Sequence, residues 1–387
     1  MFRLATAASA EISSVNSDER RRLYGIQYLR AVAALGVVIV HATSSLQVFG
    51  LGVDLFFVLS GFLMVAITGG ESRPGPFLAA RVLRVVPLYW LVTLIMLAAQ
   101  LTGAAWRGTL SLGHIASSFL FIPAVYPGDG RILPLVAQGW TLNYEMLFYG
   151  LFALTLLVAR HRQVPLLTIM IFALVGAGLL LEPSQPALAT WMHPFALEFL
   201  AGAWVGAFWQ KNLRLWPLLA LCLLLVAALA AAATFNPIFG RPAGLALVVA
   251  ALLGVLMLER RPGGVPAYRL PLLLGDASYS IYLWQVFPLM LFDVVGERFG
   301  LPTAVEGLAF FVAALLVGVA GYVMIERPLL RLIGRARRDR RGVSDPGRDL
   351  SGGPAGGLST VPEPPEADID VRPAGETSMR AQGRGQA

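Results

Sequence analysis

The sequence predicts an all-α integral membrane protein, a bundle of about ten transmembrane helices with both termini in the cytoplasm. Three observations lead there. Of 387 residues, 57% are hydrophobic and only 14% are charged, against roughly 25% charged in ordinary soluble domains. The apolar residues collect in runs near the ~20 residues that a helix needs to cross the hydrocarbon layer. The arginines are concentrated in alternate loops.

The spans are read at 26–45, 51–68, 82–103, 140–159, 164–181, 192–209, 215–234, 243–258, 272–294 and 304–325. The first follows a polar cytoplasmic head, residues 1–23. It is too long for a cleaved signal peptide, and no small-residue cleavage site follows it. Between the third and fourth spans lies the longest loop, 104–139, the candidate lid on the outer side. Within it 112–125 is apolar but short and holds His114 and Pro123, which predicts a re-entrant or interfacial segment. The membrane domain is read as 24–333. Residues 334–387 turn Gly-, Pro-, Arg- and acid-rich with almost no aromatics, a composition that cannot bury a core and predicts a disordered cytoplasmic tail.

Charge placement orients the bundle. Arg20, Arg21 and Arg22 precede the first span, and Arg73, Arg81, Arg84, Arg160, Arg162, Lys211, Arg214, Arg260, Arg261 and Arg269 follow even-numbered spans. The opposite loops hold only Arg107, Arg131, Arg241 and Arg298. By the positive-inside rule the first set is cytoplasmic. The net charge of +7 is then explained by topology and by anionic inner-leaflet lipid, and nucleic acid is not an expected partner. A multi-pass protein of the inner (plasma) membrane is expected. The single cysteine, Cys222, has no partner for a disulfide. No CxxC and no Cys/His cluster is present, so no metal site is expected.

An ionisable residue inside a span is costly and marks a candidate site. Arg30 and His41 share the first span. Their spacing puts them roughly 20° apart on one helix face and about 16 Å apart in depth, with Arg30 toward the cytoplasm. Asp54 enters the second span and Glu145 the fourth, both from the outer side; each is a candidate to orient or charge-pair the imidazole. Glu198 in the sixth span is read as a structural hydrogen-bonding group. On the inner side stand Arg81 and Arg84, followed by Pro87, Tyr89 and Trp90. Asp276, Ser278, Tyr279, Ser280 and Tyr282 lie on the ninth span, and Glu326 and Arg327 close the tenth. Arginine forks suit phosphates, though snorkelling arginines and an aromatic belt account for part of this set. Polar groups at both faces, joined by one helix with Arg below and His above, fit a cytosolic donor with a phosphorylated handle and a long thin arm. Acyl-coenzyme A as donor and a hydroxyl as acceptor meet both requirements.

The same residues carry a family resemblance. Ile26 to Leu35, continuing to His41, resembles the opening of the membrane acyltransferase 3 family, whose Arg-x10-His spacing is met by Arg30 and His41. Gly52 to Phe62 resembles its second-helix signature; Arg81, Arg84, Pro87, Tyr89 and Trp90 its third. Trp140, Thr141, Leu142, Tyr144, Glu145, Phe148 and Tyr149 resemble its fourth. Ser278 to Leu283 and Glu326-Arg327-Pro328 resemble its end. One departure stands at Gln285, where the family often has histidine.

The resemblance implies an integral membrane O-acyltransferase that moves acetyl, or another small acyl group, from cytoplasmic acyl-CoA to a sugar hydroxyl. Its exopolysaccharide-modifying subgroup is the nearest in pattern, which points to a surface polysaccharide or its lipid-linked precursor as acceptor. A polysaccharide assembly complex is a candidate partner. On this reading Arg30, Arg81, Arg84, Ser278 and Tyr282 bind the donor. His41 is the catalytic base, with Asp54 or Glu145 beside it; in a variant His41 is itself acylated first. The alternative class is a transporter or flippase for a lipid-linked glycan or small acid, against which stand the absence of an internal repeat and of broken helices.

Overall fold

The computed structural model describes residues 23–43, 47–68, 72–103, 110–128, 130–300 and 302–342. Residues 1–22 of the polar head and 343–387 of the tail lie outside the described residues. Within the described residues the chain is an all-helical bundle, and the only β-type pairing is an isolated bridge between Val125 and Ile132.

The elements follow the apolar runs. They are α1 (Tyr24–Ala42), α2 (Leu51–Ile67), α3 (Pro74–Leu101), α4 (Leu112–Phe119), α5 (Trp140–Thr155), α6 (Arg160–Leu181), α7 (Pro186–Trp191) and α8 (Ala196–Gln210). After these come α9 (Trp216–Ala233), α10 (Gly240–Glu259), α11 (Arg269–Asp276), α12 (Ser278–Trp284), α13 (Val286–Phe299), α14 (Thr303–Gly321) and α15 (Arg327–Gly342). Prolines sit in the first turns of α3, α7 and α9, where the missing N–H would have had no partner in any case. Eight helical stretches among the described residues are long and apolar enough to cross a membrane. The predicted spans at 140–159 and 192–209 become the shorter α5 and α8, of 16 and 15 residues.

Three differences from expectation have local causes. The third helix begins at Pro74, so Arg81 and Arg84 stand inside it rather than at its start. The ninth span is divided into α11, α12 and α13, with irregular turns at Ala277 and Gln285. Pro288 has no N–H to offer the Trp284 carbonyl, which loosens the ladder at the second of these points. The tenth span passes through a π-helical turn at Tyr322–Glu326, and α15 carries the helix to Gly342, into the segment read as tail. Broken helices are therefore present, and their absence no longer counts against a transporter.

The core lies where α2 crosses its neighbours. α2 packs most extensively on α8, and glycines permit the approach: a Cβ at Gly61 would strike the Phe199 carbonyl, and one at Gly202 the Val58 carbonyl. Small residues at such crossings let helix backbones meet in lipid, where no hydrophobic force drives helices together. Above the crossing Phe57 stacks on Phe199, with ring centroids 4.5 Å apart. α1 meets α2 at Gly36 and Gly52, and a Cβ on Gly52 would clash with the Ala33 carbonyl. This contact falls between Arg30 and His41 along α1. By contrast α9 has no buried residue, the pattern of a lipid-facing helix.

Candidate active site

Two cavities lie along α1, called inner and outer after the membrane faces that the charge pattern predicts. The inner one, of ≈190 Å³, is lined by Gln27, Arg30, Ser60, Arg81, Arg84, Glu145, Tyr149, Ser278 and Tyr279 at its polar end, with Phe56, Phe57 and Leu63 among its apolar walls. Two helices bring the arginines together: Arg30 comes from α1, and Arg81 and Arg84 from adjacent turns of one face of α3. Arg30 faces the charges of Arg84, Glu326, Asp276 and Glu145. Glu145 accepts hydrogen bonds from Ser60 Oγ (3.2 Å) and from the Tyr149 hydroxyl. Glu326 Oε2 accepts one from Ser280 Oγ at 2.7 Å. Tyr279 donates to the Val85 carbonyl on α3 at 2.8 Å, tying α12 to the arginine-bearing helix.

Three buried polar atoms on residues that line this cavity have no hydrogen-bond partner: Gln27 Oε1, Arg81 Nε and Ser278 Oγ. Buried polar groups are rarely left unmade. These atoms belong to residues of one cavity that also holds three guanidinium groups, an arrangement able to take a polar, anionic ligand.

The outer cavity, of ≈550 Å³, is lined by His41, Asp54, Arg131, Gln138, Trp140, Arg241 and Tyr282 with smaller apolar neighbours. His41 Nδ1 lies 2.8 Å from the Val37 carbonyl. A carbonyl can only accept, so Nδ1 carries a proton, and in the ring's uncharged form the lone pair is on Nε2. Of the chain's four histidines, His41 lines this cavity. His114 is buried and holds the Leu133 carbonyl through Nε2 at 2.8 Å. His161 opens α6, and His193 sits in the turn before α8, its pKa lowered by burial and then by Arg241, which leaves it neutral at pH 7.

The loop segment 110–139 builds the outer wall, and its described part folds as α4 and a short bridged turn. Ser118 anchors it twice: its carbonyl accepts from the Tyr89 hydroxyl (3.0 Å) and its Oγ accepts from Leu135 N–H (3.0 Å). Trp90 Nε1 adds a bond to the Phe119 carbonyl at 2.9 Å. Tyr89 and Trp90 thus hold this segment against α3.

The carboxylates predicted to serve His41 are placed differently. Asp54 does line the cavity of His41, but its Oδ1 is paired with Arg241 at 3.2 Å. The same guanidinium nitrogen reaches Glu198 Oε1 at 2.8 Å, and its carbon lies 3.9 Å over the centre of the Phe195 ring. Glu145 lines the inner cavity with the arginines instead of the outer one with His41. Its charge faces Arg30 and Arg81, so a partnership with the imidazole has no geometric support. Sequence reasoning missed Arg241, Gln27 and Gln138. Arg241 had a signal: an arginine on the side of the bundle that otherwise avoids basic residues.

The family described as "Acyltransferase domain" matches residues 23–326, which takes in both cavities. The chain belongs to the acyltransferase 3 family. It is 41% identical over 297 residues to the exopolysaccharide production protein ExoZ of Rhizobium meliloti (strain 1021), covering 76% of this chain and 93% of that protein. It is 25% identical over 354 residues to the O-acetyltransferase OatA of Staphylococcus aureus (strain NCTC 8325 / PS 47), covering 80% of this chain but 57% of OatA. Protein 2 in the picA locus of Rhizobium radiobacter is 33% identical over 152 residues, covering 32% of this chain and 78% of that protein. No solved structure matches. Membership and the helical bundle together make the chain a multi-pass membrane O-acyltransferase. Between α12 and α13, the departure from the family pattern, Gln285, is fully buried and donates to the Tyr282 carbonyl at 2.9 Å.

Proposed function

We propose that this protein transfers an acetyl or other small acyl group from cytoplasmic acyl-CoA to a hydroxyl of a surface polysaccharide or its lipid-linked precursor, within the inner (plasma) membrane and with both termini cytoplasmic. The observation that carries the reading is the division of α1 between two cavities, Arg30 in one and His41 in the other. The inner cavity suits coenzyme A: Arg30, Arg81 and Arg84 face its phosphates, and Gln27 Oε1 and Ser278 Oγ are free for the amides of the pantetheine arm. The outer cavity suits a sugar, with an aromatic wall at Trp140 and polar groups around it. The name of ExoZ refers to exopolysaccharide production and supports that acceptor class.

In the proposed step, His41 Nε2 takes the proton of the acceptor hydroxyl as its oxygen attacks the thioester carbonyl carbon. The new C–O bond forms, the C–S bond breaks, and the proton passes from the imidazolium to the departing thiolate. The products are an O-acyl sugar and coenzyme A thiol. Asp54 faces the same cavity and, together with Glu198, keeps Arg241 neutralised there. Purified protein given labelled acetyl-CoA and a polysaccharide of the producing cell should yield acetylated glycan. Transport of the glycan with no covalent product would overturn the reading in favour of a transporter.

A further inference from the structure

The two cavities share two lining residues, Val53 and Tyr282. Tyr282 is the more restrained of the pair. Its hydroxyl donates to the Gln138 carbonyl at 2.8 Å. Having one proton, it then accepts from Thr141 Oγ1 at 2.9 Å. Gln138 belongs to the outer segment, Thr141 to the start of α5 and Tyr282 to α12, so this latch joins three elements at one point. The ring of Phe56 meets the Tyr282 ring edge-on, with centroids 6.0 Å apart. Val53, the other shared lining residue, stands one residue before Asp54 on α2. Below this level the cavity holds Arg30; above it the cavity holds His41.

A donor held by its phosphates at the arginines cannot present its thioester to His41 without its reacting end passing this level. A passage left open here would also join a cavity on each side of the bilayer. We infer that Tyr282, latched by Thr141 and Gln138, forms with Val53 a partition that the acyl thioester crosses, and that Val53 and the Tyr282 ring select the acyl group by its length. This rests on the acyl-CoA reading above. Val53 and Tyr282 are on this account specificity-determining residues, and the latch acts on the reaction by keeping water from the thioester until the acceptor is in place. Without the latch, water attacks the same carbonyl carbon: its oxygen forms the new C–O bond, the C–S bond breaks, and acetate, coenzyme A thiol and a proton result.

The test compares acetyl-CoA with butyryl-CoA in the full-length protein. Val53→Ala removes two methyl groups from the passage and should raise the butyryl-to-acetyl ratio of kcat/KM about tenfold; Val53→Ile should lower it by a similar factor, since one methylene in an apolar pocket is worth ~10-fold or more. Tyr282→Phe keeps the ring and removes the latch; free acetate released per acetylated glycan should rise several-fold. A fold defect lowers all activities together and moves none of these ratios. Ratios unmoved in all three variants, with acetyl transfer by the wild type intact, would overturn the partition and leave the donor reading standing. A wild type that uses no acyl-CoA would overturn both.

Discussion

The inner and outer cavities are built from the same helix and differ in how their charges are spent. In the inner one, three arginines face the cavity beside buried polar atoms that lack partners. In the outer one the charges are largely committed: Arg241 bridges Asp54 and Glu198, and both acids are almost fully buried. What the outer cavity offers is one histidine whose tautomer is set by the Val37 carbonyl. Unsatisfied polarity marks a place shaped for a charged ligand, and satisfied polarity around a single base marks a place shaped for proton transfer to a neutral one. On the function proposed above, the contrast corresponds to donor binding at one end of α1 and chemistry at the other.

The sharpest way to break this contrast is at the base. His41→Ala should cut transfer by about 10²–10⁴-fold, the usual contribution of a positioned general base, while binding of acetyl-CoA to the purified protein stays within about twofold. Loss of donor affinity in this variant would place the donor at the wrong end. Arg30→Ala should do the reverse. Removing a charge-assisted contact of about 1.5–3 kcal/mol should weaken acetyl-CoA binding about 10–100-fold in a titration, with acceptor KM little changed. A defect confined to the acceptor would turn the assignment upside down.

Arg241→Ala probes the committed charges. Breaking a buried pair by removing one partner commonly costs about 3–5 kcal/mol; the Arg241 side chain is 53% exposed, so a loss nearer ~1–2 kcal/mol is expected after solvent screening. Thermal unfolding in detergent should show the lowered stability, and Arg241→Lys, which keeps a cation near both acids, should recover part of it. An unchanged unfolding temperature would show that the bridge does not hold α2, α8 and α10 together. His193→Ala should have the smallest effect, within about twofold in transfer, because that ring is already neutral and outside the cavity linings.

Much of the bundle was legible in the sequence because crossing a bilayer requires long apolar runs, and those are visible residue by residue. Arg30 and His41 were legible for a related reason: both lie on one helix, so their shared face follows from spacing alone. What depended on contacts between distant helices was not. Arg241 reaches Asp54 across 187 residues of sequence, and no local pattern announces that pairing. Glu145 was expected near His41 from its place in the fourth span, but it lines the cavity of Arg30 and bonds Ser60 and Tyr149 instead. The latch of Tyr282 joins residues 144 positions apart. The division of the ninth span had visible cues in Pro288 and in Gly275, whose carbonyl the Ala277 N–H reaches at the first break.

The central claim, donor below and acceptor above with the acyl group passing between them, is tested most directly by sidedness. Protein is reconstituted in sealed vesicles with its orientation determined by protease access to the arginine-rich tail. Glycan is enclosed on the face of His41, and labelled acetyl-CoA is added only on the face of Arg30. Label should appear on the enclosed glycan, and should vanish in vesicles carrying His41→Ala. Acetylation only when donor and glycan share one side of the membrane would contradict the account.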